Sequence, residues 1–136
     1  MALAAALCSS CRPDLPPSVD LPPSVKEAKA RIREIAAADW NVWAASTPRP
    51  VLIDVREDSE WQAGHAAGAL HIARWTLADR IGAAVPDKTT RIVLYCQSGV
   101  RSALAADWLQ KMGYTNVFSL AGGFKAYQLA RLPVGK

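Results

Sequence analysis

The stretch of this chain best equipped for chemistry is Tyr95-Cys96-Gln97-Ser98-Gly99-Val100-Arg101-Ser102. An apolar run, Arg91-Ile-Val-Leu-Tyr95, precedes it, and residues at helical spacing, Val100 to Met112, follow. The expected order is strand, tight turn, helix, with a thiol at the mouth of the turn. A cysteine just ahead of a helix faces unpaired backbone N–H groups and the positive end of the helix dipole. Both favour the thiolate, the nucleophilic form, and such sites lower a cysteine pKa from about 8.5 to roughly 3.5–7.5. The same amides can cradle an anion. A reactive sulfur in an anion cradle is therefore expected.

The elements that position this loop follow from periodicity and punctuation. Val51-Leu-Ile-Asp-Val55 is a β-branched run after a proline, hence a buried strand, and it ends in the charges Asp54 and Arg56. In open α/β sheets ligands bind at such strand ends. Ser24-Val-Lys-Glu27 has the capping-box pattern and predicts a helix over Val25 to Ile32. A brief strand Arg33 to Ala36 and a helix Asp39 to Ala45 come next, or else one continuous helix from Val25 to Ala45. Glu57 to Gln62 reads as a helix, Gly64 to Gly68 as a turn, and Ala69 to Ile72 as a strand. Thr76 is placed as the cap of a helix reaching Ala84. In the helix after the cysteine loop, Val100, Ala103, Leu104, Trp108, Leu109 and Met112 recur at helical spacing, and Gly113 stands as its C-terminal cap. Asn116 to Leu120 is a last strand, Gly122-Gly123 a turn and Phe124 to Leu129 a final helix, closed by Pro133 and Gly135. Alternating strands and helices imply a mainly parallel sheet covered on both faces.

Composition limits the alternatives. The 136 residues suit one domain, and net charge is only +4, with basic residues scattered rather than blocked. Nothing resembles a nucleic-acid-binding stripe. No apolar run approaches the about 20 residues that span a bilayer. Three cysteines make no disulfide framework. Cys8-Ser-Ser-Cys11 has the spacing of half a zinc site, but no second ligand pair follows, so no metal is expected. Residues 1–24 read as a disordered leader containing the repeat Asp14-Leu-Pro-Pro-Ser-Val19, Asp20-Leu-Pro-Pro-Ser-Val25, a semi-rigid polyproline spacer. The start, Met1 to Leu7, resembles the end of an export signal. The cytoplasm is favoured, or the periplasm if that remnant is real. The folded domain is expected over 25–136.

From about Glu34 to Leu132 the chain resembles a single-domain rhodanese. The matching motifs are Asp54-Val55-Arg56 with Glu60, Gly64-His65-Ala66-Ala67-Gly68-Ala69, the Cys96–Ser102 loop, and Leu120-Ala121-Gly122-Gly123 before an aromatic helix. Departures are Ala66 where Ile or Val is usual, Ala67 and Ala73 where Pro is common, and Tyr127 where Trp is common. The resemblance implies a three-layer α/β fold, with a central five-stranded parallel sheet and helices on both faces. It also implies a Cys96 persulfide that carries sulfur from thiosulfate or a persulfide donor to cyanide or a thiol, with no cofactor. The partners implied are a small anionic sulfur donor and its acceptor. A carrier role, relaying sulfur from a cysteine desulfurase to a biosynthetic protein, fits the same residues.

Within the loop, Gln97, Ser98, Gly99, Val100, Arg101 and Ser102 are the expected substrate contacts, with Arg101 aimed at the anion. Arg74, after the Ala69–Ile72 strand, is a further candidate at the rim, and Trp75 is expected in the pocket wall or the core. Asp54 and Arg56 are expected to brace the loops as a buried ion pair, and His65 to tie its turn together; His71 reads as an ordinary strand residue. Phosphatases and arsenate reductases use a similar cradle with five residues between Cys and Arg. Here there are four, which suits a single sulfur atom better than a phosphate.

Overall fold

A computed structural model describes residues 24–136. The polyproline repeat, apart from Ser24 and Val25, and the Cys8–Cys11 pair lie outside the described residues. The chain runs α1 (Val25–Arg31), β1 (Arg33–Ile35), α2 (Ala37–Trp43), β2 (Val51–Asp54), α3 (Asp58–Ala63), β3 (His65–Ala66) and β4 (Leu70–His71). A 3-10 turn (Arg74–Thr76), α4 (Leu77–Ala84), β5 (Ile92–Tyr95), α5 (Val100–Lys111), β6 (Val117–Leu120), α6 (Gly123–Leu129) and β7 (Val134–Gly135) complete it. The expected five-stranded parallel sheet is present, in the order β1-β6-β5-β2-β4.

Side chains alternate across a strand, and this period divides the core into two. Ile53, Val55, Ile92, Leu94 and Val117 face α4 and α5, together with Leu77, Ile81, Ala105, Ala106 and Leu109. Leu52, Val93, Tyr95, Phe118 and Leu120 face the other way, against Trp40, Phe124 and Tyr127. The central strand β5 is buried on both faces throughout, so the residue after it is delivered at the C-terminal edge of the sheet with little freedom.

At the N-terminus the separate elements form, not one long helix. Ser24 Oγ accepts from the Glu27 amide at 3.1 Å, and Glu27 Oε1 accepts from the Ser24 amide at 2.9 Å, closing the capping box. The helix stops where Ile32 turns extended, and the residues after it pair as β1 with β6. Arg31 then clamps α1 to α5 through a two-pronged pair with Asp107, at 2.9 and 2.8 Å.

Four sequence-based expectations need correction. The buried face of α5 is Ser102, Ala103, Ala105, Ala106, Asp107 and Leu109, while Val100 and Trp108 are exposed. Small residues let the helix lie close to the sheet, and Asp107 is buried because Arg31 and Lys111 pair with it, so the bulkiest apolar residues do not mark the inner face. Thr76 caps nothing; its hydroxyl donates to the Ala73 carbonyl within the 3-10 turn. The Gly64–Gly68 turn contains a strand, since His65-Ala66 pairs antiparallel with Val134-Gly135 and the chain end thus clips over the turn. Trp75 is largely exposed and packs in no core.

Replacing Leu94, fully buried at the middle of the sheet, by alanine leaves a cavity the surroundings can only partly fill. Leu94→Ala is expected to cost about 2–5 kcal/mol, read as a lower urea midpoint with an unchanged slope.

Candidate active site

Every element that shapes the site ends at the C-terminal edge of the sheet. Cys96 follows β5 directly and is 1% exposed. Gly99 takes φ +101°, a left-handed conformation that costs other residues energy, and this turns the chain into α5. The turn brings two amides onto the sulfur: Gly99 N lies 3.1 Å and Ser102 N 3.4 Å from Cys96 Sγ. The Ser102 hydroxyl lies 3.6 Å from it. Burial pushes the Cys96 thiol pKa up, but the Ser102 hydroxyl and the Ser102, Gly99 and Ser98 amides outweigh it and hold the pKa below the ordinary cysteine value. The helix-terminus expectation thus holds in direction, with named donors.

The outer side of the loop is held by a second helix. The Phe124 amide of α6 donates to the Cys96 carbonyl at 2.7 Å, and the Lys125 amide to the Gln97 carbonyl at 3.2 Å. These are orphan donors of a helix start, satisfied by the loop. Gly123 must be glycine at this contact. Its φ is +59°, and a Cβ there would come 2.5 Å from the Cys96 carbonyl oxygen. The Gly122-Gly123 pair that reads as a simple turn is therefore the surface on which the cysteine loop rests.

Asp54 and Arg56 form the buried pair expected of them. Arg56 Nη2 and Nε lie 2.8 and 3.0 Å from Asp54 Oδ2, and the pair is almost wholly shielded from solvent. Arg56 also donates to the Gly64 carbonyl at 2.7 Å and to Gln97 Oε1 at 3.3 Å, and its guanidinium lies 4.4 Å over the Phe124 ring. Asp54 accepts in addition from the Tyr95 hydroxyl, which itself accepts from the Ala66 amide. Burial and the Asp54 carboxylate push the Tyr95 pKa up, so its proton stays in place.

Arg101 has a partner that the sequence-based reading did not give it. Its guanidinium grips the Glu60 carboxylate with two bonds, at 2.7 and 2.9 Å. The planar fork that would suit an anion suits a carboxylate equally, and α3 presents one at that height. The Arg101 bonds lower the Glu60 pKa from 4.5 to about 2. His65 Nδ1 lies 3.0 Å from the Trp61 carbonyl and its ring stacks on Trp61 at 3.4 Å, a structural tie as expected. His71 also stacks on Trp61, and its Nε2 lies 2.8 Å from the Arg56 carbonyl, a bracing role that its place in a strand does not reveal. Arg74 is exposed on the 3-10 turn, whose start is anchored by its amide to the Val55 carbonyl at 3.1 Å. Ser119, absent from the sequence-based candidates, is fully buried and 2.8 Å from the Ser102 hydroxyl. A serine at the end of an otherwise apolar strand was the available signal. Among the described residues, no group of three or more His, Cys, Asp or Glu is arranged to hold a metal ion.

A model of the rhodanese-like domain matches residues 37–130. The chain belongs to the rhodanese-like domain family. Among curated relatives, it is 42% identical over 73 residues to thiosulfate sulfurtransferase PspE of Escherichia coli, covering 54% of this chain and 69% of that protein. It is 37% identical over 84 residues to the tRNA uridine(34) hydroxylase of Erwinia tasmaniensis, covering 59% of this chain but only 24% of that protein. A solved structure from Rhodopseudomonas palustris, of unknown function and named a possible tyrosine phosphatase, superposes with a TM-score of 0.76 at 29% identity. It covers 82% of this rhodanese-like chain and 90% of that one. Among the described residues, no helix is long and apolar enough to cross a membrane.

Two outcomes follow from this geometry. Arg56→Met leaves Asp54 charged and buried without its partner, and is expected to cost about 3–5 kcal/mol in urea unfolding. The Glu60 carboxylate has its folded pKa depressed, so the stability it contributes is fully present above pH 4.5 and is lost as pH falls toward 2. The stability gap between wild type and Glu60→Gln, measured from denaturation midpoints, should be constant from pH 5 to 8 and close between pH 4.5 and 2.

Proposed function

We propose that this rhodanese-like domain transfers sulfane sulfur, with Cys96 as the nucleophile. The Cys96 thiolate attacks the outer sulfur of thiosulfate or of a persulfide donor. The donor's S–S bond breaks, its electron pair leaves with sulfite or the donor thiolate, and Cys96 becomes a persulfide. Cyanide or a thiolate then attacks the terminal sulfur, and Cys96 leaves as the thiolate again. This is covalent catalysis in two half-reactions, and neither half-reaction as written uses a metal or organic cofactor.

The observation that carries the reading is the pair of amides on the sulfur, Gly99 N and Ser102 N, at the start of an α-helix. Preorganised donors of this kind stabilise a thiolate and the terminal sulfur of a persulfide at no reorganisation cost. In this reading Gln97, Ser98, Val100 and Ser102 line the loop that takes the donor, and Gly99 keeps it open. Arg74 meets the anionic donor from the exposed rim. Arg101, held by Glu60, contributes positive charge and loop stiffness. The name of the Escherichia coli relative, a thiosulfate sulfurtransferase, agrees with this assignment. The four-residue spacing from Cys96 to Arg101 counts against phosphate-ester chemistry.

Intact-mass measurement after incubation with thiosulfate tests the reading. Wild type should gain one sulfur atom, mapped to the Cys96 peptide and removed by cyanide, and Cys96→Ser should gain none there. Absence of any gain with thiosulfate and with a persulfide donor, together with turnover of a phosphate ester, would overturn it.

A further inference from the structure

Behind the cysteine loop lies a pair of hydroxyls that the fold has no need to bury. Ser102 and Ser119 are both 0% exposed, and their Oγ atoms are 2.8 Å apart. Ser102 belongs to α5 and Ser119 to β6, so the contact joins two elements that otherwise share the apolar cluster of Ala105, Ala106, Leu109 and Val117. Ser119 sits on the face of β6 that Val117 also uses, where apolar residues pack. Among the described residues Ser102 Oγ is the only hydrogen-bond partner of its side chain. A buried hydroxyl with a single partner costs more than an alanine of similar size, unless it does something there.

We propose that Ser119 is a positioning residue for the thiolate, its hydroxyl turning the Ser102 hydroxyl toward Cys96 Sγ. The argument is one of donor count. A serine hydroxyl has one proton and can accept as well. Ser102 Oγ stands between two partners, Sγ at 3.6 Å and Ser119 Oγ at 2.8 Å, and can give its proton to only one. When Cys96 is a thiol, it donates to Ser102, which donates to Ser119. When Cys96 is a thiolate, Ser119 donates to Ser102 and frees the Ser102 proton for the sulfur. Both hydroxyls rotate; neither gains or loses a proton, and the thiol proton goes to solvent. Chains of this kind strengthen each member. Without Ser119, Ser102 keeps its proton but loses the donor that polarises its hydroxyl toward the sulfur.

The charged groups around the loop are placed otherwise. Arg101 pairs with Glu60 from α3, Arg56 with Asp54 at the end of β2, and Lys125 of α6 approaches through its backbone amide. The remaining titratable neighbour, Tyr95, is bonded to Asp54 on the opposite face of β5. Among the described residues none of these bonds to Ser102 or Ser119, so the two hydroxyls act on the sulfur separately from them.

The inference rests on reading Cys96 as the reactive thiol, and its test does not require sulfur transfer. The rate of iodoacetamide alkylation at Cys96, followed on its peptide across pH, reports the thiol pKa. Ser119→Ala is expected to raise it by about half a unit to one unit, the scale of one neutral hydrogen bond, with an unchanged rate at high pH. Sulfur-transfer kcat/KM should then fall about threefold to tenfold below the wild-type pKa and converge with wild type above the raised pKa of the variant. Ser119→Thr, which restores the hydroxyl, should restore both, and Ser119→Ala should add nothing in a Ser102→Ala background. If Ser119→Ala does not fold, Ser119→Cys must show a smaller shift in the same direction. An unshifted pKa, a loss equal at every pH, or effects that add with Ser102→Ala would overturn the proposal. A shifted pKa in a protein that forms no persulfide would keep Ser119's role and reject sulfur transfer.

Discussion

The interaction on which the rest depends is the buried pair of Asp54 and Arg56. Asp54 ends the strand beside the central one, and Arg56 is brought back onto it within two residues. A buried charge must be paired and its remaining donors satisfied, or the cost is several kcal/mol. Arg56 meets that demand with the Gly64 carbonyl, the Gln97 side chain and the Phe124 ring. Each partner belongs to a different segment: the turn after α3, the cysteine loop, and α6. One guanidinium therefore bonds to or packs on three separate segments at once. Tyr95 extends the same network to Ala66, and the chain end clips the turn from outside through β7.

The cysteine loop is held between two helix starts that act on different atoms. Amides at the start of α5 converge on the sulfur, where negative charge is wanted. Amides at the start of α6 take the carbonyl oxygens on the loop's other side. The loop thus has donors aimed at its sulfur and its own acceptors already engaged, which is what a preorganised anion site requires. Gly99 and Gly123 permit the two approaches, the first through its turn and the second through contact with the Cys96 carbonyl. The Glu60–Arg101 pair closes the remaining side.

Much of this was legible in the chain. Val51–Val55 and Arg91–Tyr95 are unmistakable buried strands, and the Cys96-to-Ser102 turn before a periodic segment already implies a thiolate facing amides. The capping box at Ser24 and Glu27 is a purely local device and forms as read. The motifs at Asp54, Gly64, Cys96 and Gly122 all fall within the residues that match the family, 37–130.

What the sequence by itself determined is what depends on neighbours along the chain: the parallel α/β order, a cysteine set just ahead of a helix, and the length of its loop. Tertiary structure decided the partners. Arg101 could serve an anion or a carboxylate, and only the position of α3 delivers it to Glu60. Ser119 looks like an odd residue in an apolar strand until α5 lays Ser102 against it. His71 becomes a brace only when β4 brings it over Trp61. The inner face of α5 includes the charged Asp107 because Arg31, a residue 76 positions away, pairs with it. In each case a side chain's worth is set by the group it meets across the fold, and no local pattern encodes that meeting.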